Sequence, residues 1–398
     1  MLMLLVATAM AVLLAGCGSS QREDQSSSQG REQEGGSSQQ TSEPTPNETL
    51  VGRCADSGST GGQQEQATGG EVSNGKIAFS RNRDIHVIDG EGSHESRLTH
   101  TAQAESDPVW SPDGQKIAFI RSTGTPSYDL YVMNADGTHQ TRLTGVWDLA
   151  PAWSPDGQKI AFTRGADAPN YLYVINADGT NEVSLSTTTF SENPEDRTQL
   201  GNPAWSPTGN KIAFASRTLT DTGASSSAEP ASAPAEGLSG IYLINVDGTG
   251  LCKLTSADLV EDADPVWSPD GEKIAFYDNE SINVINTDGS GRKKLARGAS
   301  AVWSPDGQKI AFVVNDSSDL HVINADGGGL RRLANIPQYG ALPAWSPDGE
   351  KIAFNCPAAP SASAIDLCVI NADGTGWKRI ATNVAPVGFA FTASWGRE

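Results

Sequence analysis

Acidic side chains gather in short segments that lead into a recurring Trp-Ser-Pro phrase, where they could bind a ligand. The set comprises Glu105, Asp107, Asp148, Glu195, Asp196, Glu261, Asp262 and Asp264, with Trp147 and Tyr339 as aromatic surface beside them. Carboxylates bind hard cations, and a cluster of them attracts basic segments of partner proteins. Solvated loop charges of an acidic protein would look the same, so all three interpretations remain open.

The histidines supply no catalytic pattern. The five of them, His86, His94, His100, His139 and His321, are scattered over different copies of a repeat. Local spacing assembles neither a Ser-His-Asp nor a Cys-His arrangement. His86 and His321 occupy a strand position that holds Tyr or Asn in other copies, which indicates packing. We therefore predict a protein that is not an enzyme and that has neither a cofactor nor a metal site.

The candidate residues must be positioned by a unit that the chain writes seven times. Its phrase is Trp-Ser-Pro-Asp-Gly-x-Lys-Ile-Ala-Phe, then a variable stretch, then Val-Ile-Asn-Ala-Asp-Gly and a basic residue with Leu-Thr. The Lys-Ile-Ala-Phe element begins at Lys76, Lys116, Lys159, Lys211, Lys273, Lys309 and Lys351. A unit this short cannot bury its own apolar face, so the copies must stack on one another.

Each copy predicts four short antiparallel strands. We label them A (Trp), B (Ile-Ala-Phe), C (Val-Ile) and D (Arg-Leu-Thr), with Ser-Pro-Asp-Gly and Asn-Ala-Asp-Gly as the A–B and C–D turns. Sheets repeated at this spacing pack radially as a propeller, with alanine and tryptophan at the blade interfaces. Strand D is the outer edge, where Lys or Arg in six copies should discourage aggregation.

The two ends of the repeat region complete one another. The chain enters at strand B with Lys76-Ile77-Ala78-Phe79 and leaves with a lone strand A at Ser394-Trp395-Gly396. The prediction is an all-β, seven-bladed β-propeller of four-stranded antiparallel blades, closed by the C-terminal strand. Because the B–C and D–A loops hold nearly all the length variation, we expect the ligand on that face.

Charge and the N-terminal segment restrict the partners. A formal net charge of −20 argues against nucleic acid. Residues 2–14 are apolar, and Leu14-Ala15-Gly16-Cys17 resembles the lipobox of bacterial lipoproteins, which implies cleavage before Cys17 and lipidation of its thiol. The predicted domains are a signal peptide at 1–17, a disordered Ser/Gly/Gln/Glu-rich tether at 18–75 and the propeller at 76–398.

An exported chain can oxidise its remaining cysteines. Cys356 follows one strand and Cys368 lies in the next, so we predict that these two face each other across a hairpin as a disulfide. Pairing of Cys54 with Cys252 is possible, but the spacing gives it no support.

The Ser-Pro-Asp-Gly-x-Lys-Ile-Ala-Phe and Val-Ile-Asn-Ala-Asp-Gly phrases resemble the TolB-type, WD-like Pro-Asp repeats of bacterial envelope propellers. The resemblance implies a propeller that works outside the cytoplasm. Together with the lipobox-like segment, it leads us to expect a monomeric, lipid-anchored scaffold that binds a protein or envelope ligand. The D–A loops place the expected ligand-binding residues at Glu105, Asp107, Trp147, Asp148, Glu261, Asp262, Asp264 and Tyr339. The membrane contact of this scaffold would be the anchor at Cys17 alone. Two alternatives are a metal-dependent polysaccharide lyase or glycosidase at the acidic mouth, and a TolB-like envelope assembly or transport component.

Overall fold

The computed structural model describes Cys54 and residues 74–124, 127–145, 147–165, 171–185, 198–218, 239–255, 264–314, 319–336, 342–358, 364–386 and 393–397. These residues belong to one compact unit, Val51–Glu398. Within them the regular structure consists of β-strands in seven antiparallel sheets, so the predicted seven-bladed propeller is confirmed. No helix in this part of the chain has the length and apolar character needed to cross a bilayer.

Each sheet is one blade, and its strands run A to D from the inside outward. Blades 1 to 3 comprise β29 (Ser394–Arg397), β1 (Asn74–Arg81), β2 (Asp84–Ile88) and β3 (Ser96–Arg97); β4 (Glu105–Trp110), β5 (Lys116–Gly124), β6 (Ser127–Asn134) and β7 (Thr141–Arg142); and β8 (Asp148–Trp153), β9 (Lys159–Arg164), β10 (Tyr171–Asn176) and β11 (Val183–Ser184). Blade 4 comprises β12 (Thr198–Leu200) and β13 (Ala204–Trp205), which both pair with β14 (Lys211–Thr218), then β15 (Gly240–Asn245) and β16 (Cys252–Lys253).

The remaining three blades repeat the same order. They comprise β17 (Val266–Trp267), β18 (Lys273–Asp278), β19 (Ser281–Asn286) and β20 (Lys293–Arg297); β21 (Ala299–Trp303), β22 (Lys309–Val314), β23 (Asp319–Asn324) and β24 (Arg331–Ala334); and β25 (Ala344–Trp345), β26 (Lys351–Pro357), β27 (Ala364–Asn371) and β28 (Lys378–Pro386).

The C-terminal strand closes the ring as predicted. Strand β29 pairs with β1, with Trp395 opposite Ile77 and Ser394 opposite Ala78. The inner strands then contact one another in a full circle, since β29 also contacts β4 of blade 2 and β25 of blade 7. Closure leaves no exposed inner edge and creates a central channel with two mouths.

The inner-strand tryptophans join each blade to the one before it. Six of the seven in the described residues donate their indole N–H to a carbonyl oxygen of the preceding inner strand: Trp153 to Val109, Trp205 to Ala152, Trp267 to Ala204, Trp303 to Val266, Trp345 to Val302 and Trp395 to Ala344, at 2.9–3.2 Å. The predicted packing role of these rings is confirmed. Each hydrogen bond contributes roughly 1 kcal/mol to the stability of the protein, in addition to the stabilisation from burying the ring.

The hydrophobic core lies between blades. Ala275, Ile282 and Val284 of blade 5, for example, pack against Trp303 and Phe312 of blade 6. The phenylalanine of strand B is fully buried in all seven blades. Burying such a side chain contributes about 1.5–3 kcal/mol, so the repeated Ile-Ala-Phe phrase supplies the same stabilisation at each interface.

The glycine of each Ser-Pro-Asp-Gly turn serves both the turn and the blade interface. Gly307 has φ of +69°, and a Cβ built there would lie 3.5 Å from Cδ of Pro269 in the preceding blade. The serine organises the turn: Ser304 Oγ donates to Asp306 at 2.5 Å and accepts from Lys309 N at 2.9 Å. The turn sequence is therefore explained by folding alone.

Gly114→Ala is expected to destabilise the protein more than Gly307→Ala. Both residues have φ of +69°, so both variants should lose about 1–2 kcal/mol for the left-handed backbone. At Gly114 the new methyl group would also collide with the carbonyl oxygen of Arg397, which adds about 1–3 kcal/mol for displacing the closing strand. Thermal unfolding measures both, and equal losses would contradict the contact between Gly114 and Arg397.

Strand D has a role beyond the predicted protection of the edge. Its arginine bonds a buried carboxylate at the start of strand C in four blades: Arg97 with Asp84, Arg142 with Asp129, Arg332 with Asp319 and Arg379 with Asp366, at 2.7–3.3 Å. A buried carboxylate is costly without a cation. These basic residues therefore hold the outer strand to its blade.

Two disulfides cross-link the propeller. Cys356 and Cys368 are joined across the β26–β27 hairpin. Cys54, which falls within the predicted tether, is joined to Cys252 of β16 and is only 7% exposed, packed beside residues of blades 4 and 5. The propeller thus holds one residue of that segment in its core.

Candidate functional site

The two mouths of the channel differ in how much they vary. We call the ring of Asp107, Ala150, Asn202, Asp264, Ser300 and Leu342 the loop mouth; each is the third residue before an inner-strand tryptophan and follows a D–A loop. We call the ring formed by the A–B turns the turn mouth. Because the blades share one sequence pattern, a residue of one blade can be compared with the residue at the same position of every other blade.

Equivalent positions of the loop mouth meet around the channel. Asn202 of blade 4 donates its side-chain N–H to Asp264 Oδ1 of blade 5 at 3.1 Å. Asp264 is exposed, and Asp107 is partly exposed. The structure therefore brings Asp264 beside a neighbouring inner strand, as a site at the mouth requires.

The backbone of the loop mouth is bulged. Asp107, Ala150, Asp264 and Ser300 have positive φ of 28–54°, and the register shifts after Ser106, Leu149 and Ala299. A bulge re-aims side chains and is common beside functional sites. Because Ala150 and Ser300 share the conformation, the bulge belongs to the blade, whereas the two aspartates are particular to blades 2 and 5.

Glu105 is buried within blade 2, whereas the sequence predicts it at the channel mouth. Its carboxylate is buried and accepts from Arg121 Nε at 2.7 Å, and the Arg121 guanidinium lies 4.2 Å from the ring centre of Tyr131. The predicted ligand-binding charge of Glu105 is thus balanced inside blade 2.

Asp148 occupies the equivalent position of blade 3. It is fully buried, accepts from Arg164 Nε at 2.7 Å and bonds the Thr144 hydroxyl. Burial raises the pKa of Asp148 to about 6, although Thr144 and Arg164 oppose the shift. Arg164 also forms two bonds to Glu182, at 2.6 and 2.8 Å, so Asp148 belongs to a network within the blade.

The other predicted site residues divide into described and undescribed. Trp147 is partly exposed and packs edge-on against Tyr128, with ring centres 5.7 Å apart. Glu195, Asp196, Glu261, Asp262, Tyr339 and Cys17 lie outside the described residues. Within the described ranges, no group of three or more His, Cys, Asp or Glu side chains is placed to hold a metal ion.

The histidines of strand C pack as predicted. The rings of His86 and His321 lie 5.6 and 5.7 Å from those of Phe79 and Phe312, as Tyr131 does from Phe119 in blade 2. Burial lowers the pKa of His86 to about 4, and the Arg81 charge adds to the effect.

His86→Tyr, which installs the residue of blade 2, should reduce the loss of stability in acid. The unfolded chain protonates His86 near pH 6.5, whereas the folded chain does so near pH 4. The unfolded state therefore binds more protons between these values, so stability is full above about pH 6.5 and falls toward pH 4. We expect a smaller drop in Tm between pH 7 and 4.5 in the variant; identical drops would exclude His86 as a contributor.

The turn mouth contains a cavity of about 360 Å³ that the sequence does not reveal as a pocket. Tryptophan and proline side chains of several A–B turns line it, together with Arg397. The one signal in the sequence is the closing phrase Trp395-Gly396-Arg397, which replaces the usual Trp-Ser-Pro.

Comparison with known families supports the resemblance carried by the repeats. Residues 75–195 match the model of the TolB beta propeller domain. A search of curated proteins found no match to the chain.

Solved structures of low sequence identity share the fold. TolB from Acinetobacter baumannii matches with a TM-score of 0.51 and 17% identity, over 83% of this chain and 68% of that one. Oligogalacturonate lyase from Vibrio parahaemolyticus gives 0.54 and 14%, over 79% and 87%. The periplasmic gluconolactonase of Pseudomonas aeruginosa gives 0.54 and 13%, over 81% and 99%.

These neighbours correct one prediction. The inference that the chain is not an enzyme is wrong, because proteins named as a lyase and a gluconolactonase share its fold. The absence of a recognisable catalytic triad from the sequence does not exclude catalysis by a propeller. The family model thus covers the first blades, and the remaining blades repeat the same four-stranded unit.

Proposed function

We propose that this propeller works outside the cytoplasm, tethered to the bacterial membrane by a lipid on Cys17, and binds a protein or envelope ligand at the loop mouth. Support for export comes from the Cys54–Cys252 and Cys356–Cys368 disulfides, which form and persist in oxidising compartments. The lipobox-like Leu14-Ala15-Gly16-Cys17 supplies the anchor in this proposal.

The main support for the binding proposal is that the side chains at the loop mouth differ between blades, at positions that the fold does not restrict. The blades keep their Trp, Ile-Ala-Phe and turn residues nearly unchanged, and each of these has a packing role. The loop mouth instead presents Asp107, Ala150, Asn202, Asp264, Ser300 and Leu342 at equivalent positions. A rigid ring that displays different side chains at one mouth is suited to recognition.

Charge favours a basic segment of the partner. Asp107 and Asp264 lie at the loop mouth, and the chain has a net charge of −20. The local electrostatic potential therefore attracts cations. Trp147 and Tyr128 add a partly exposed aromatic pair on the same side, of the kind that anchors interfaces. The partner would therefore insert lysine or arginine into the mouth and rest on the aromatic pair.

The test uses two pairs of matched variants on immobilised protein. Asp107→Asn with Asp264→Asn removes the charge of the loop mouth. Glu272→Gln with Glu350→Gln removes the same charge at exposed A–B turn positions, where blades 2 and 3 already carry glutamine. Detergent-solubilised cell envelope is passed over each form, and the retained proteins are quantified by mass spectrometry.

We expect one or more basic envelope proteins to be retained by the wild type and the turn variant, and about tenfold less by the loop-mouth variant. Retention should fall as salt is raised, because exposed charges are screened. A retained lipoprotein would make the chain a TolB-like assembly component. Equal retention by all three forms would contradict the loop mouth as the binding site.

A further inference from the structure

The turn mouth holds a second candidate site, on the face opposite the loop mouth. Its cavity of about 360 Å³ is within the size range of small-molecule sites. The walls are tryptophan and proline rings from blades 1, 2, 5, 6 and 7, including Trp303, Pro305, Trp345 and Trp395. Such walls favour the flat or cyclic apolar body of a ligand.

Arg397 is the charged member of this lining. It takes the place that proline holds in the other six Trp-Ser-Pro phrases. Elsewhere the proline packs against the turn glycine of the next blade, as Pro269 does against Gly307, but at the seam the Arg397 carbonyl makes that contact with Gly114. The side chain is therefore not needed for packing. It is exposed, and its guanidinium has no ion-pair partner among the described residues.

Trp110 at the same seam differs from the other inner-strand tryptophans. The other six inner-strand tryptophans donate their indole N–H to the preceding strand, but the Trp110 N–H is buried and has no acceptor within the described part of the chain. Trp110 is 8% exposed and lines the cavity. The seam thus combines an exposed guanidinium with apolar walls, and the enclosed Trp110 ring lies directly beside both.

We propose that the turn mouth binds a small organic carboxylate with an apolar ring, its carboxylate on Arg397 and its ring among the tryptophans and prolines. A guanidinium presents two parallel N–H groups that match a carboxylate. The lining contains one cation and no acidic side chain, so a monoanion fits its charge better than a dianionic phosphate. This site does not depend on the proposed protein partner.

The test follows indole N–H signals by NMR in the full chain labelled with ¹⁵N-tryptophan. The probe is phenylacetate, and its neutral control is phenylacetamide at the same concentration. Arg397→Gln removes the proposed cation. Arg331→Gln is the matched control, because Arg331 is exposed on the same side of the propeller but does not line the cavity.

We expect phenylacetate to shift the Trp110 and Trp395 signals and phenylacetamide to leave them nearly unchanged. Arg397→Gln should weaken binding at least about tenfold, as expected for a charge-assisted hydrogen bond, whereas Arg331→Gln should not. The dispersion of the other indole signals shows that each variant is folded. Equal shifts by both probes, no shift at millimolar phenylacetate, or an unchanged affinity in Arg397→Gln would each overturn the proposal.

Discussion

Replacing Cys54 and Cys252 together by alanine is expected to lower the free energy of unfolding by about 5 kcal/mol. The two residues are 198 apart in the sequence, so the bond removes a large amount of conformational entropy from the unfolded chain. Cys54 also packs beside Leu254 and Trp267, and its release would expose that apolar surface. Chemical denaturation of the oxidised wild type and the double variant measures the difference.

The second disulfide is the control for this prediction. Cys356 and Cys368 are only 12 residues apart, and their replacement by alanine should remove about 3 kcal/mol by the same relation. A loss at Cys54 and Cys252 no greater than that at the hairpin would contradict the prediction that the longer disulfide stabilises more.

Arg164→Met should lower the free energy of unfolding by about 3–5 kcal/mol at pH 7, because it leaves the buried Asp148 carboxylate without its cation. The pKa of Asp148 is already raised to about 6 by burial, and loss of Arg164 would raise it further. Because the folded variant then binds this proton at a higher pH than the folded wild type does, its deficit should shrink as the pH falls from 7 to about 6 and change little from there to pH 5.

An exposed ion pair provides the control for Arg164. Arg297 and Glu280 are bonded at 2.8 Å with both side chains more than half exposed. Arg297→Met should therefore cost at most about 1 kcal/mol at either pH. A deficit in Arg164→Met that matches this value, or that grows in acid, would show that Asp148 does not depend on the arginine.

The sequence predicts the fold well because the repeat makes the same statement in every blade. Trp, Ile-Ala-Phe and the two glycine turns each have one packing role, and the lone Trp395 strand at the end matches the missing strand of blade 1. Comparison of the repeats thus identifies the structural residues, because a residue retained in all blades is needed by each of them.

The site was less predictable because its chemistry depends on register. Glu105 lies opposite Arg121, and Asp148 lies opposite Arg164. Two carboxylates predicted at the acidic mouth therefore form ion pairs with arginines of strand B. The shared Phe-x-Arg sequence of blades 2 and 3 was the available signal. At the turn mouth, the near-uniform Trp-Ser-Pro phrases concealed the position where Arg397 replaces proline, and only closure of the ring places Arg397 beside blade 2.

Closure by β29 is the claim on which both mouths depend, and a cysteine cross-link tests it most directly. Ala78 and Ser394 are opposed across β1 and β29, whereas Val87 lies one strand further out. Adjacent strands are about 5 Å apart and a disulfide needs Cα atoms within about 7 Å. Ala78→Cys with Ser394→Cys should therefore form an intramolecular disulfide, seen by peptide mass spectrometry, and Val87→Cys with Ser394→Cys should not. No cross-link in the first pair, or equal cross-linking in both, would contradict the closed ring.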